Sequence, residues 1–295
     1  MQAMNPKLIL TTCALVATTA LSQSTTNSSS TTTLAPAGAN SSETGSVGTD
    51  DEKAKAAALA KATLNPIASL ISLPLQNNFD FGAGPNDDGF QYRLFVQPVI
   101  PFSLSEDWNV ISRTIVPYVY QEDVVGTSSQ SGLADTVQSL FFSPVKPTES
   151  GWIWGAGPVL QIPTATDDLL GEEKWGAGPT GVALKQEGPW TYGMLVNHIW
   201  SFAGEDSRAD VNRTFLQPFV SFTTKTFTSF GLNTESSYDW EGEQWSVPIN
   251  VFVQQLLKVG NQPLALQLGY RYYADGPSNG PEWGLRFQVS LLFPK

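Results

Sequence analysis

From Ile67 to the end of the chain, apolar and polar residues alternate one for one. Near the C-terminus Trp283, Leu285, Phe287, Val289, Leu291 and Phe293 share one face, and Gly284, Arg286, Gln288, Ser290 and Leu292 share the other. Leu264, Leu266, Leu268, Tyr270 and Tyr272 oppose Gln267, Gly269 and Arg271 in the same way. Earlier, Tyr92, Leu94, Val96 and Ile100 oppose Gln91, Arg93 and Gln97. A period of two marks strands whose faces meet different environments. The pattern predicts twelve strands, roughly 67–80, 90–102, 108–120, 132–143, 152–162, 175–185, 190–202, 211–224, 226–238, 244–257, 263–273 and 283–293. Each is long enough to cross a bilayer at a tilt, for which about ten residues suffice. An open sheet edge is not tolerated in lipid, so an even set of such strands closes on itself. The expected fold is therefore all-β, a closed antiparallel transmembrane β-barrel of about 12 strands.

The connections support two unlike ends. If the first strand starts at the inner side, the outer loops carry sixteen acids, opposed only by Lys174 and Arg208, whereas the inner turns carry four acids and three lysines. A globular sandwich gives charge no reason to segregate onto every second loop. The inner connections are also mostly shorter.

The N-terminal region reads differently. Met1–Ser22 has the charge of Lys7, a short apolar core and the small-x-small run Ala20-Leu21-Ser22, which together indicate a signal peptide. Cys13 follows a lipoprotein-like run, but the apolar stretch before it is too short for lipidation. Residues 23–51 are a low-complexity Ser/Thr/Ala/Gly linker, expected to be disordered because it cannot bury enough apolar area. Residues 52–66 form a short Ala/Lys/Leu-rich periplasmic helix, ended by Pro66 and expected to do little by itself. The barrel takes 67–295.

Composition narrows the function. The 295 residues carry 27 acids against 16 bases, a net charge of −11, which argues against nucleic-acid binding. Only 15% of residues are charged, so the arginines are informative. Five of the six, Arg93, Arg113, Arg213, Arg271 and Arg286, fall in expected strands. Arginine facing lipid costs about 2–4 kcal/mol at midplane, so these side chains should point inward. Asp80, Asp135 and Glu235 are the acids placed in strands. The candidate solute pathway is Arg93, Arg113, Arg213, Arg271, Arg286, Glu235, Asp135, Gln97 and Gln288. Two arrangements are open: a lumen laced by Arg–carboxylate pairs and amide hydrogen bonds, or a positive lumen that draws anionic or aromatic solutes, since guanidinium binds carboxylates and stacks on rings. Phe95, Phe215, Phe219 and Tyr273 share lumenal parity.

Other chemistry finds little support. Gly176-Ala177-Gly178-Pro179-Thr180-Gly181 fits a dinucleotide-type glycine pattern, but no amphipathic helix follows it. Cys/His spacings for zinc are absent, so neither cofactor nor metal is expected. The single histidine, His198, could serve a serine nucleophile. Strand parity, however, puts Asn197 and Ser201 on the opposite face. The outer acids, above all Asp167-Asp168 with Glu172-Glu173, could bind divalent cations or be solvated loops.

Pro74, Pro98, Pro117, Pro158, Pro179, Pro218 and Pro248 lie inside the expected strands, where proline removes a ladder donor. Either they mark bulges or some strands are shorter. Trp154-Gly155-Ala156-Gly157-Pro158 also recurs as Trp175-Gly176-Ala177-Gly178-Pro179, on strands expected to be neighbours.

The runs Gln76–Gly82, Gln97–Phe102, Trp152–Gly155, Pro163–Asp167, Lys174–Pro179, Asn197–Ser201 and Leu291–Lys295 resemble the bacterial outer-membrane transporter-like barrels grouped with the MetA-pathway phenol-degradation proteins. The resemblance covers about Asn65 to Lys295. It implies an outer-membrane location and a transport role, with no settled functional residues to carry over. The chain departs from many outer-membrane proteins in ending Phe293-Pro294-Lys295 rather than on an aromatic residue. The expectation is a channel, not an enzyme, for small organic solutes, seated in lipid and lipopolysaccharide and recognised by the barrel-assembly machinery through its last strand. The alternatives are a structural or sensory barrel packed shut, an outer-membrane lipid hydrolase, and a secreted β-sandwich.

Overall fold

In the computed structural model the described residues are 47–125 and 128–294. The expected signal peptide, and the linker up to residue 46, lie outside them. Among the described residues one helix, α1 (Val47–Ala62), precedes sixteen strand segments. These are β1 (Ile71–Ala83), β2 (Gly89–Val96), β3 (Val99–Ser103), β4 (Trp108–Glu122), β5 (Ser129–Leu133), β6 (Thr136–Pro144), β7 (Trp152–Ile162), β8 (Lys174–Glu187), β9 (Trp190–Gly204), β10 (Asn212–Thr223), β11 (Thr228–Thr234), β12 (Ser236–Asp239), β13 (Gln244–Ser246), β14 (Pro248–Val259), β15 (Gln262–Tyr273) and β16 (Trp283–Phe293).

The sixteen segments make twelve wall strands, because β2/β3, β5/β6, β11/β12 and β13/β14 are each one strand interrupted. All neighbours are antiparallel. The last strand pairs with the first, Ile71 against Phe293, and β10 pairs with β11, so the sheet closes into a barrel. Closure leaves no edge to be satisfied by solvent.

Three of the prolines account for three interruptions. Pro98 sits in the gap between β2 and β3, and the freed Gln97 N–H donates to Pro74 O at 2.9 Å. Across from Pro117 the chain breaks at Ala134-Asp135, and Ala134 N–H donates to Pro117 O at 2.9 Å. Opposite Pro248 it breaks at Glu235, whose N–H reaches Pro248 O at 3.3 Å. A strand facing a residue without a donor can slip by one position there, which is a bulge.

The recurring Gly-Ala-Gly-Pro segments have a related cause. Pro158 and Pro179 face each other across β7 and β8. On their far sides the ladders skip, from Ser139↔Val159 to Phe142↔Ala156 and from Ala177↔Trp200 to Thr180↔Asn197. In each gap the neighbouring carbonyl leans over the glycine before the proline. A Cβ on Gly157 would lie 2.0 Å from Leu140 O, and one on Gly178 1.8 Å from His198 O. Only glycine leaves that space.

The outer surface is apolar. Leu232, Val251, Val253, Leu268, Leu285 and Phe287 are exposed on it. Aromatic side chains gather near both rims. Phe81 stacks on Trp283 and Tyr238 meets Trp240 near the long-loop end, while Trp108 meets Trp154 and Trp190 meets Phe222 near the short-turn end. Two such girdles suit the interfaces of a bilayer.

The first expected strand, 67–80, needs correction: the wall begins at Ile71, and residues 67–70 run inside the barrel. The helix also begins and ends earlier than the expected 52–66. Asp50 in its first turn and Lys61 in its last complement its dipole. Thr63 Oγ1 donates to Ala60 O at 2.7 Å, and Asn65 Oδ1 accepts from Ile67 N–H at 2.9 Å, so the chain turns sharply after the helix. That turn sends Ile67, Ala68 and Leu70 into the short-turn mouth. Ile67 packs with Val99, Ile111, Phe141, Val182, Leu184 and Leu195, all buried. Ala68 and Leu70 pack with Leu292 and Leu256. Gln186 Nε2 donates to Lys61 O at 2.9 Å and Gln254 Nε2 to Thr63 Oγ1 at 2.7 Å, anchoring the segment to two parts of the wall.

Candidate functional site

The lumen holds a charged layer above this apolar plug. β1 contributes Asn78 and Asp80, both fully buried. Strand alternation aims them at Arg93 of β2, Arg271 of β15 and Arg286 of β16, which occupy facing positions on adjacent strands: Asn78 pairs with both Arg93 and Arg286. Arg93 Nη2 donates to Asp80 Oδ2 at 2.6 Å. Arg271 Nε lies 3.2 Å from Asp80 Oδ1, an ionic contact whose angle falls short of a hydrogen bond. Arg286 grips Glu235 with a two-pronged fork, Nη1 to Oε1 at 2.9 Å and Nη2 to Oε2 at 2.7 Å, and its Nε donates to Asn78 Oδ1 at 2.7 Å. Arg271 Nη1 reaches both Asn78 Oδ1 at 3.0 Å and Glu235 Oε2 at 3.3 Å. The Tyr273 hydroxyl accepts from Arg93 and Arg271 at 2.7 and 2.9 Å. Three arginines thus share two carboxylates. Bidentate, charge-assisted bonds of this kind are the strong ones.

Arg113 of β4 stands apart. It also points inward, but its Nη2 donates to the amide oxygen of Gln97 at 2.9 Å, and it makes no ion pair among the described residues. Gln97 in turn donates from Nε2 to Gln76 Oε1 at 3.3 Å. The interruption at Pro98 places Gln97 just past the end of β2, between the two.

A cavity of about 170 Å³ lies between the charged layer and the plug. Arg113, Gln97, Glu235, Arg286 and Gln288 line its polar side, and residues 62–66 form its floor. Val99, Phe219 and Phe252 supply apolar wall. Gly231 makes room for the Phe252 ring, since a Cβ there would meet the ring at 2.1 Å. Gln288 donates to Ser290 Oγ at 2.9 Å.

The other candidate residues sit elsewhere. Arg213 belongs to the loop-end mouth, 2.9 Å from Glu172 and 3.9 Å from Asp239. Asp135 lies in the β5/β6 gap and does not join the charged layer. Its oxygens accept from the N–H groups of Ala165 and Glu172 at 3.3 and 2.7 Å, tying the 163–173 loop to the rim. Arg208 holds the same loop, donating to the carbonyls of Asp168 and Gly171 and pairing with Glu173. Phe215 and Phe219 pack against the apolar cluster.

His198 lies on the outer face beside Trp200, ring centroids 3.9 Å apart, with Nδ1 2.7 Å from Thr214 Oγ1. Ser201 is engaged instead with Asp210. The two do not form a nucleophile–base pair. The glycine-rich 176–181 segment is strand throughout, within β8.

Sequence reasoning missed two things. Asn78 and Gln76 share parity with Asp80, and that signal was available. The plug was not, because nothing local distinguishes Ile67, Ala68 and Leu70 from lipid-facing residues.

The fold defines a transmembrane-type β-barrel with a polar interior. It is similar to the crystal structure of an outer membrane channel from Pseudomonas putida F1, with 15% identity and a TM-score of 0.61 over 76% of this chain and 96% of that one. A porin named NanC aligns over 76% of this chain and all of its own, with 10% identity and a TM-score of 0.47. No protein-family model and no curated protein matches the sequence.

Proposed function

We propose that the protein is a bacterial outer-membrane channel for small organic solutes, without covalent chemistry, as in the transporter-like family its sequence resembles. The carrying observation is a closed barrel that is apolar outside and holds arginines, carboxylates and amides inside. Burying that many polar groups has a cost which only paired or solute-facing groups offset. In this reading the acidic loops face outward toward lipopolysaccharide, and β16 is the strand that the assembly machinery engages. In this reading residues 63–70, packed into the inner mouth, hold the channel closed until they move.

The packed-barrel reading has its own support in the apolar cluster around Ile67. Conductance in planar bilayers separates the two. Wild-type protein should give infrequent channel events, and a variant lacking residues 47–70 larger and more frequent ones. Silence from both would overturn the channel and leave a structural barrel.

A further inference from the structure

Four arginines, Arg93, Arg113, Arg271 and Arg286, enter the lumen at or below the charged layer, against two carboxylates, Asp80 and Glu235. Both carboxylates are taken by the other three. Among the described residues Arg113 therefore makes no direct ion pair: its side chain is held by one amide oxygen, and the Glu235 carboxylate that acts on it from farther off is already gripped by Arg271 and Arg286. A half-buried guanidinium with no counter-charge in direct contact is costly, and any anion able to reach it is favoured. The group faces a cavity that is polar at Arg113 and apolar at Val99, Phe219 and Phe252. Its 170 Å³ compares with cavities of about 150 Å³ that admit benzene. Glu235, also in the wall, does not repel strongly because Arg271 and Arg286 already neutralise it.

We propose that this cavity is a binding site for a small monocarboxylate carrying one apolar ring, with Arg113 gripping the carboxylate and the phenylalanines holding the ring. Guanidinium suits a carboxylate because its fork matches the two oxygens, and an aromatic wall suits a flat apolar body. Gln97 is the positioning residue: its oxygen holds one amine of Arg113 and leaves the rest of the fork for ligand. The site rests on the channel reading, since a solute must enter the lumen to find it.

The test titrates benzoate and its uncharged analogue benzamide into the full-length protein in detergent, followed by calorimetry. Wild type should bind benzoate at one saturable site, at least about tenfold tighter than benzamide, the discrimination expected of one charge-assisted pair. R113Q should lose about that factor for benzoate and leave benzamide unchanged, and R113K should recover part of it. Equal binding of the two probes, no saturable benzoate binding, or full benzoate affinity in R113Q would each overturn the site. If R113Q does not fold, the wild-type comparison of the two probes decides. Channel events without benzoate binding remove this site and leave the channel; binding without events removes passage through the barrel and leaves a lumen that solute can enter.

Discussion

Asp80 shows how much rests on single side chains here. It is fully buried, with two arginines on its oxygens. Replacing it by Asn keeps the shape and removes the charge, leaving Arg93 without an ion-pair partner. Breaking one partner of such a buried set costs about 3–5 kcal/mol. D80N should therefore unfold at lower denaturant, read by the loss of the fast-migrating folded band in unheated gel samples. Glu235→Gln should unpair Arg286 and add positive charge to the lumen. Reversal potentials across a salt gradient should then move toward anion preference relative to wild type. The arginines themselves were legible, because lipid penalises them on the other face. Their division of labour was not: strand parity says inward but does not say which carboxylate takes which guanidinium. The candidate pathway also took in Asp135 as a strand residue, when a chain break lets it turn to the 163–173 loop.

At the level of elements, the twelve wall strands were readable from alternation, and their ends shift by only a few residues. The interruptions were readable only as a problem. Each proline announces a missing donor, but whether the partner strand bulges depends on the residue facing it, which lies tens of positions away. The Gly-Pro pairs at 157–158 and 178–179 make the sharpest test. A methyl group on Gly178 would fall 1.8 Å from His198 O, a backbone atom that cannot swing away. G178A should cost about 1–3 kcal/mol, as overpacking does, and lower the yield of folded barrel on refolding into vesicles. Gly181 has only a carbonyl oxygen 3.8 Å from such a methyl. G181A should refold like wild type, and equal behaviour of the two variants would discount the steric account.

For the whole molecule, the helix and the segment after it change what the barrel is. The sequence indicates a marginal helix followed by a first wall strand; the folded chain instead threads that strand's beginning through its own mouth. No local pattern could have announced this, because a residue that faces a lipid tail and one that faces an apolar interior look alike. Ile67→Ala should destabilise the fold by about 2–4 kcal/mol through the cavity left among Val99, Ile111 and Phe141, measured by denaturant titration. The plug also conceals what it covers. Were residues 63–70 to withdraw, Val99, Ile111, Phe141, Val182, Leu184 and Leu195, which come from β3, β4, β6, β8 and β9, would leave one side of an aqueous passage greasy. Hydrated ions would keep to the opposite side, where Gln254, Gln267 and Ser290 line the lumen. Uncharged organic molecules, which carry little hydration to lose, would follow the greasy side, so an uncorked barrel would leak oils as well as salt.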